Sequence, residues 1–133
     1  MPEVASIVLF SDDPVHTTAF YRALGMDFED EVHGDGLLHA TTDVGDVHVA
    51  VFPGSGRVGP PSSAPGWSNG GSTFVGFYVP SLDEAVASIR ALGSKLLVEH
   101  QACEWGCRVI AEDPDARAVE INQRGHCGGS AEP

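Results

Sequence analysis

Short runs of apolar residues along the chain predict a series of β-strands, because runs of this length are typical of strands and too short for buried helices. In the first half they cover residues 7–10, 37–42 and 47–52, and in the second half residues 74–79, 96–99, 107–111 and 118–122. After the first strand of each half, apolar residues recur at helical spacing, as Phe20 and Leu24 do. Each half therefore predicts a strand, an amphipathic helix and further strands.

Both predicted helices have recognisable ends. Asp13 followed by Pro14 is typical of a capped helix start, and Ser81 with Glu84 three residues later forms a capping box. Gly25 and Gly93 can adopt the left-handed conformation that ends a helix. These signals place one helix in each half of the chain.

The two halves are related by an internal repeat. A tetrapeptide at the end of the first helix recurs after the second, as Arg22-Ala23-Leu24-Gly25 and Arg90-Ala91-Leu92-Gly93. A strand and a helix start fall in the same register, so the repeat extends beyond four residues. We interpret the chain as one domain, residues 1–133, of class α+β with two tandem βαβββ modules at about 4–52 and 73–122.

Residues 53–72 form a linker rich in glycine and proline, and residues 123–133 form a tail that we expect to be frayed. Trp67 is the one aromatic residue of the linker. An indole in such a loop either closes over an apolar ligand or packs on its own domain, and the sequence leaves both open.

The amino-acid composition limits the classes of molecule that the chain can bind. The 133 residues include 7 Lys or Arg and 19 Asp or Glu, giving a formal net charge of −12. Such a charge repels nucleic acids and anionic membranes and favours solubility or cationic ligands. We expect no export or membrane signal in the first residues, and three cysteines make a disulfide scaffold unexpected, so a cytoplasmic location is predicted.

Two tandem βαβββ modules of this length resemble the vicinal oxygen chelate superfamily, which includes glyoxalase I, extradiol dioxygenases and bleomycin-resistance proteins. The resemblance covers residues 5 to 122 and rests on three segments: Phe20-Tyr21-Arg22-Ala23-Leu24-Gly25; Trp105-Gly106-Cys107-Arg108 with Glu112-Asp113-Pro114-Asp115; and Val119-Glu120-Ile121-Asn122. It implies the glyoxalase/bleomycin resistance fold, a cupped mixed sheet around a cavity, and a homodimer. It does not specify a reaction, because one scaffold serves many chemistries.

Metal-dependent members of the superfamily carry ligands on the first and last strands of each module. The matching positions here are Ser6, His48, Phe74 and Glu120. Strand alternation turns His48 and Glu120 toward the cavity, but Phe74 offers no lone pair and a neutral Ser6 is a poor ligand. We therefore expect no metal; a divalent metal through His48 and Glu120, with His39 as a further ligand, is the less favoured alternative.

Without a metal, the same alternation predicts an aromatic cavity with a few polar groups, lined by Phe10, Phe52, Phe74, Tyr78, Trp105, His48, Glu120 and Asn122, with Trp67 above it. Glu120 either attracts a cationic ligand or pairs with an arginine such as Arg108. The leading hypothesis is a metal-free protein that sequesters an aromatic, cationic antibiotic or related natural product. The alternative is a lyase, isomerase or dioxygenase in which His48 and Glu120 bind a metal or act as acid and base.

Overall fold

A computed structural model describes residues 1–32, 36–54, 75–125 and 127. Its elements follow the order predicted from the sequence, with one strand added in the first module. They are β1 (Ser6–Ser11), α1 (Pro14–Ala23), β2 (Glu29–Glu31), β3 (His39–Val44), β4 (Val47–Pro53), β5 (Val75–Tyr78), α2 (Leu82–Ala91), β6 (Leu96–Cys103), β7 (Gly106–Glu112) and β8 (Ala118–Arg124). The predicted α+β class and the two modules are confirmed.

Each module forms its own four-stranded mixed sheet. The strand order is β1-β4-β3-β2 in the first sheet and β5-β8-β7-β6 in the second. In both sheets the first strand of the module runs parallel to the last, and the remaining pairs are antiparallel. The two modules therefore repeat one topology.

The helices begin and end where the sequence signals predict. The Asp13 carboxylate accepts a hydrogen bond from the His16 amide at the start of α1, and the Ser81 hydroxyl accepts one from the Glu84 amide at the start of α2. Beyond the helix ends, Gly25 and Gly93 have φ of 106° and 82°, values that favour glycine. The two helices thus begin and end at residues that are equivalent in the repeat, and capping side chains determine where they begin.

One side of each sheet packs against the helices and forms the core. On β4 the side chains of Val49 and Val51 are buried, and on β8 those of Val119 and Ile121 are buried, with Phe20 of α1 in the same cluster. Strand alternation turns the intervening residues to the opposite side. We call these outward sides face one, on the first sheet, and face two, on the second.

The turn between β7 and β8 joins the modules through buried polar contacts. The Tyr21 hydroxyl of α1 donates to the Asp113 carboxylate over 2.7 Å, and the Thr17 hydroxyl donates to Asp115 over 2.6 Å. Arg117 binds Asp113 and also donates to the Phe10 carbonyl oxygen. We call this cluster the junction; desolvation and the adjacent Asp113 charge hold the pKa of Tyr21 well above its ordinary value.

Two expectations about the second module require correction. Strand β8 continues to Arg124, two residues beyond the predicted end of the module. Cys127 is disulfide-bonded to Cys107; the sequence made a disulfide scaffold unexpected and did not predict this single bond. The start of the predicted tail is therefore fixed to the sheet, and Cys103 is the cysteine that remains free. No helix of the described residues is long and apolar enough to span a membrane.

Candidate functional site

Face two holds a chain of side-chain hydrogen bonds centred on Asn122. The Trp105 indole Nε1 donates to Asn122 Oδ1 over 2.8 Å, and Asn122 Nδ2 donates to Glu120 Oε1 over 2.9 Å and to the Phe77 carbonyl oxygen over 3.2 Å. The buried Asn122 amide uses both its oxygen and its nitrogen. It therefore fixes the indole and the carboxylate in one arrangement.

Glu120 is neutralised by a partner on the neighbouring strand. Arg108 Nη1 donates to Glu120 Oε2 over 2.7 Å, and Arg108 Nε donates to Gln101 Oε1 over the same distance. Both side chains of the ion pair are mostly shielded from solvent. Of the two alternatives that the sequence left open for Glu120, the structure shows pairing with Arg108, so the carboxylate does not stand alone for a cationic ligand or a metal.

Gly76 of β5 provides the space that the Glu120 carboxylate occupies. The two residues are partners in the parallel ladder, and a Cβ on residue 76 would lie 2.7 Å from Glu120 Oε1. Real Cβ atoms do not approach an oxygen so closely, so any larger residue would displace the carboxylate. Glycine at this position therefore helps to hold Glu120 against the sheet.

The aromatic residues of face two are exposed around this hydrogen-bonded chain. Tyr78 is 48% exposed and Trp105 is 43% exposed. Together with Gly76, Glu120 and Asn122 they line a cavity of about 270 Å³. The structure thus brings together four of the predicted site residues, namely Tyr78, Trp105, Glu120 and Asn122.

Face one gathers a second group of predicted residues. The rings of Phe10 and Phe52 lie with their centroids 6.3 Å apart, and the imidazole of His39 stacks on Phe52 at 3.9 Å. Phe10 is 51% exposed. Face one is therefore an aromatic surface in its own right, and it lies on the other module from Trp105 and Tyr78.

His48 does not join Glu120. Its Nδ1 lies 2.9 Å from Asp43 Oδ1 on the neighbouring strand of face one, and 46% of its side chain is exposed. In the strand ladders His48 is the partner of Ser6, whereas Glu120 is the partner of Gly76. In the repeat, Gly76 of the second module corresponds to Val8 of the first. Since Val8 pairs with Ala50 as Gly76 pairs with Glu120, the residue of the first module that is equivalent to Glu120 is Ala50.

The donors of the described residues do not fit the metal that some members of the superfamily bind. Within residues 1–32, 36–54, 75–125 and 127, no three His, Cys, Asp or Glu side chains cluster as metal ligands. His48 and Glu120 have their own partners on different sheets. No chemical step is therefore assigned to a metal. Phe74 and Trp67 lie outside the described residues, and their predicted roles stay predictions.

Arg124, which was not among the predicted site residues, shares face two with Asn122. Its guanidinium carbon lies 3.6 Å from the centroid of the Tyr78 ring. The predicted strand ended at Asn122, but the alternation of inward and outward residues continues for two more positions, and that continuation was the available signal.

A separate cavity of about 220 Å³ opens beside β1, β5 and β8 near the junction, and its lining is largely aliphatic.

These two modules, with paired βαβββ topology and one outward face on each sheet, define a glyoxalase-type α+β protein. A sequence model of the Glyoxalase/Bleomycin resistance protein/Dioxygenase superfamily matches residues 3–121, and the chain belongs to that superfamily. A search of curated proteins found no match.

Solved structures with the same fold come from several bacteria. TnmS3, an antibiotic binding protein from Streptomyces sp. CB03234, is 17% identical with a TM-score of 0.64, covering 94% of this chain and 98% of its own. TioX from Micromonospora sp. ML1 is 21% identical with a TM-score of 0.64, covering 93% and 100%. A lactoylglutathione lyase from Agrobacterium tumefaciens is 20% identical with a TM-score of 0.57, covering 91% and 92%. At these identities the similarity establishes the fold.

Proposed function

We propose that the chain is a small-molecule-binding protein that sequesters a planar aromatic compound, such as an antibiotic or related natural product, on face two. The observation that carries this proposal is the Trp105 indole, which is exposed across 43% of its surface and fixed by its hydrogen bond to buried Asn122. A rigid, exposed aromatic side chain gives a flat ligand a stacking surface without a large loss of side-chain entropy.

The arrangement of the polar groups also supports binding. Arg108, Glu120 and Asn122 satisfy one another, so the floor of the site is prepared before a ligand arrives. Fixed polar groups among aromatic walls are typical of small-molecule sites. The description of TnmS3 as an antibiotic binding protein supports the same class of ligand for a chain of the same fold.

The expected preference for a cation has less support than the aromatic character. It rested on Glu120 and on the net charge of −12. Since Arg108 pairs with Glu120 over 2.7 Å, only the overall charge still favours a cation. The acid–base alternative also loses support, because His48 and Glu120 contact different partners on different modules.

Quenching of tryptophan fluorescence tests the proposal. A Trp67→Phe background leaves Trp105 as the one reporter, because the chain has two tryptophans. A panel of planar aromatic antibiotics should quench this signal saturably, with at least one binding at micromolar concentration. If no member of the panel quenches the tryptophan fluorescence of either this variant or the wild-type chain, the proposed function is wrong.

A matched pair of variants shows whether the fixed indole matters. Gly76→Ala should displace the Glu120 carboxylate and thereby loosen Asn122 and Trp105, which weakens binding several-fold while the protein stays folded. Gly93→Ala, placed beyond α2 where an added Cβ meets no atom within 4 Å, should leave affinity unchanged once the protein is shown to be folded. Equal affinities in both variants would contradict the proposed role of Gly76.

We also propose that two chains associate, with face one of each chain opposite face two of the other and the ligand site between them. Face one exposes Val8 and Phe10, and face two exposes Tyr78 and Trp105. Removal of these exposed apolar side chains from water favours association. Arg108 already pairs with Glu120, so the association rests on apolar burial rather than on charge.

A further inference from the structure

Arg124 holds an oriented guanidinium at one end of face two. Its carbon Cζ lies 3.6 Å from the centroid of the Tyr78 ring, which is stacking distance. Stacking on an aromatic ring leaves the N–H groups of a guanidinium free around its edge. The Tyr78 ring therefore holds Arg124 in place without using its hydrogen-bond donors.

The charge of Arg124 is not neutralised within the described part of the chain. Arg108 pairs with Glu120, whereas no carboxylate of residues 1–32, 36–54 and 75–125 forms an ion pair with Arg124. Glu104, in the turn before Trp105, is exposed and likewise forms no ion pair among these residues. Face two therefore presents one oriented cation beside its aromatic side chains.

The position of Arg124 connects this cation to the proposed ligand site. Arg124 follows Asn122 by two residues on β8, so both point to the same side, and Arg124 is the ladder partner of Gly106, the residue after Trp105. A flat molecule on Trp105 would therefore reach Arg124 with its edge. A guanidinium binds best a planar anion that accepts two parallel hydrogen bonds, which is a carboxylate.

We propose that the ligand of face two is an aromatic carboxylate, whose rings lie on Trp105 and whose carboxylate binds the Arg124 guanidinium held on Tyr78. This inference rests on the proposed function and specifies its ligand class. It runs against the overall charge of −12, because the field of one oriented arginine acts at contact distance, whereas distant surface charges are screened beyond about 8 Å at physiological salt.

A charged probe and its neutral counterpart test the proposal. 9-Anthracenecarboxylate and 9-anthracenecarboxamide have the same ring system, and both accept energy from tryptophan, so each can be titrated against Trp105 in the Trp67→Phe background at pH 7. The carboxylate should bind about tenfold more tightly than the amide, as expected for a hydrogen-bonded ion pair. This preference should decrease when the NaCl concentration is raised.

Variants then assign the preference to Arg124. Arg124→Gln should lower the affinity for the carboxylate about tenfold and leave that for the amide within twofold, whereas Arg124→Lys should keep part of the preference. Arg90→Gln is the charge-matched control, because Arg90 lies on α2 and pairs with Glu99 away from face two. It should leave both affinities unchanged.

The possible outcomes separate the two proposals. If both probes bind with equal affinity, or if Arg124→Gln weakens both to the same extent, the carboxylate inference is overturned and the aromatic site stands. If neither probe quenches Trp105, both this inference and the use of face two for flat aromatic ligands are overturned. A preference that survives Arg124→Gln would place the anion elsewhere and also overturn the inference.

Discussion

At the scale of single residues, Ala116 has an unfavourable backbone conformation. Among the described residues other than glycine, it is the one with a positive φ, at 70°. The surrounding turn imposes this value, because the Ala116 amide donates to the Asp113 carbonyl oxygen and the Asp113 carboxylate accepts from the amides of Asp115 and Arg117. A left-handed conformation costs an L-residue about 1–2 kcal/mol.

Ala116→Gly should therefore raise the free energy of unfolding. We expect a gain of about 0.5–1 kcal/mol, since the greater freedom of glycine in the unfolded chain offsets part of the relief. Urea denaturation at pH 7 measures it. The control is Gly45→Ala in the β3–β4 turn, where φ is 60° and an added Cβ meets no atom within 4 Å, so that stability should decrease. Lower stability of Ala116→Gly would contradict the left-handed turn.

Asp115 makes the junction sensitive to acid. Burial raises the pKa of its carboxyl group, but hydrogen bonds from the Thr17 hydroxyl and the Asp12 amide, with the nearby charge of Arg117, outweigh that effect. The pKa of Asp115 is therefore lowered from its ordinary value. A lowered pKa in the folded state means that the ionised carboxylate stabilises the fold, and that this stabilisation is lost as the pH falls.

Asp115→Asn should lower the free energy of unfolding at pH 7 by about 1–3 kcal/mol, because it removes charge-assisted hydrogen bonds from a buried site. The contribution of Asp115 is complete above the unfolded pKa of about 3.9 and declines as the pH drops through the folded value. Urea denaturation from pH 7 to pH 3 should show the two proteins converging below about pH 4. Asp46→Asn, in an exposed turn, serves as the control; a constant difference at all pH values would refute the proposed linkage.

Several residue-level predictions depended on local pattern alone and were confirmed. Alternation along β8 placed Glu120 and Asn122 on one side, and the pairing of Glu120 with Arg108 followed as one of two alternatives. The expected approach of His48 to Glu120 was wrong, because residue contacts across modules depend on strand register. A shift of two positions along a ladder moves a side chain by about 7 Å and leaves it on the same face.

At the scale of helices and strands, the sequence predicted the helices that have capping residues and the strands that are strongly apolar. Both predicted helices and all seven predicted strands were found. The prediction missed β2 (Glu29–Glu31), because its three residues are acidic and it forms a strand only through pairing with β3. The disulfide between Cys107 and Cys127 was missed because cysteine counting cannot show that β8 and the following turn bring the two residues together. It also removes cysteine usage as an argument for a cytoplasmic location.

The disulfide should contribute measurably to stability. It closes a loop between residues 20 positions apart, and Cys127→Ser should lower the free energy of unfolding by about 3 kcal/mol if the constraint acts on the unfolded chain. Urea denaturation without reductant measures the effect. Cys103→Ser, which removes the free cysteine, should leave stability nearly unchanged. Two free thiols on Cys107 and Cys127, detected by alkylation in non-reducing buffer, would contradict the bond.

At the scale of the whole molecule, each module contributes one aromatic outward face, and the proposed dimer brings unlike faces together. Light scattering after size exclusion should give twice the 13.9 kDa mass of one chain. Val8→Arg places a charge among the exposed apolar side chains of face one and should shift the protein toward monomer, because burial of an unpaired charge is costly. Val15→Arg, at an exposed position on α1, should remain dimeric. A wild-type monomer at all concentrations would disprove the association.

The junction and face two lie at opposite ends of the same strand, β8. Ala118, at the start of β8, follows the turn that joins the modules, while Asn122 and Arg124 lie toward its other end. Changes at Tyr78, Trp105 or Arg124 therefore leave the intermodule contacts intact. Natural selection can exchange one ligand for another on this chain without first rebuilding the junction, and a combinatorial library restricted to face two should yield folded members with new selectivities.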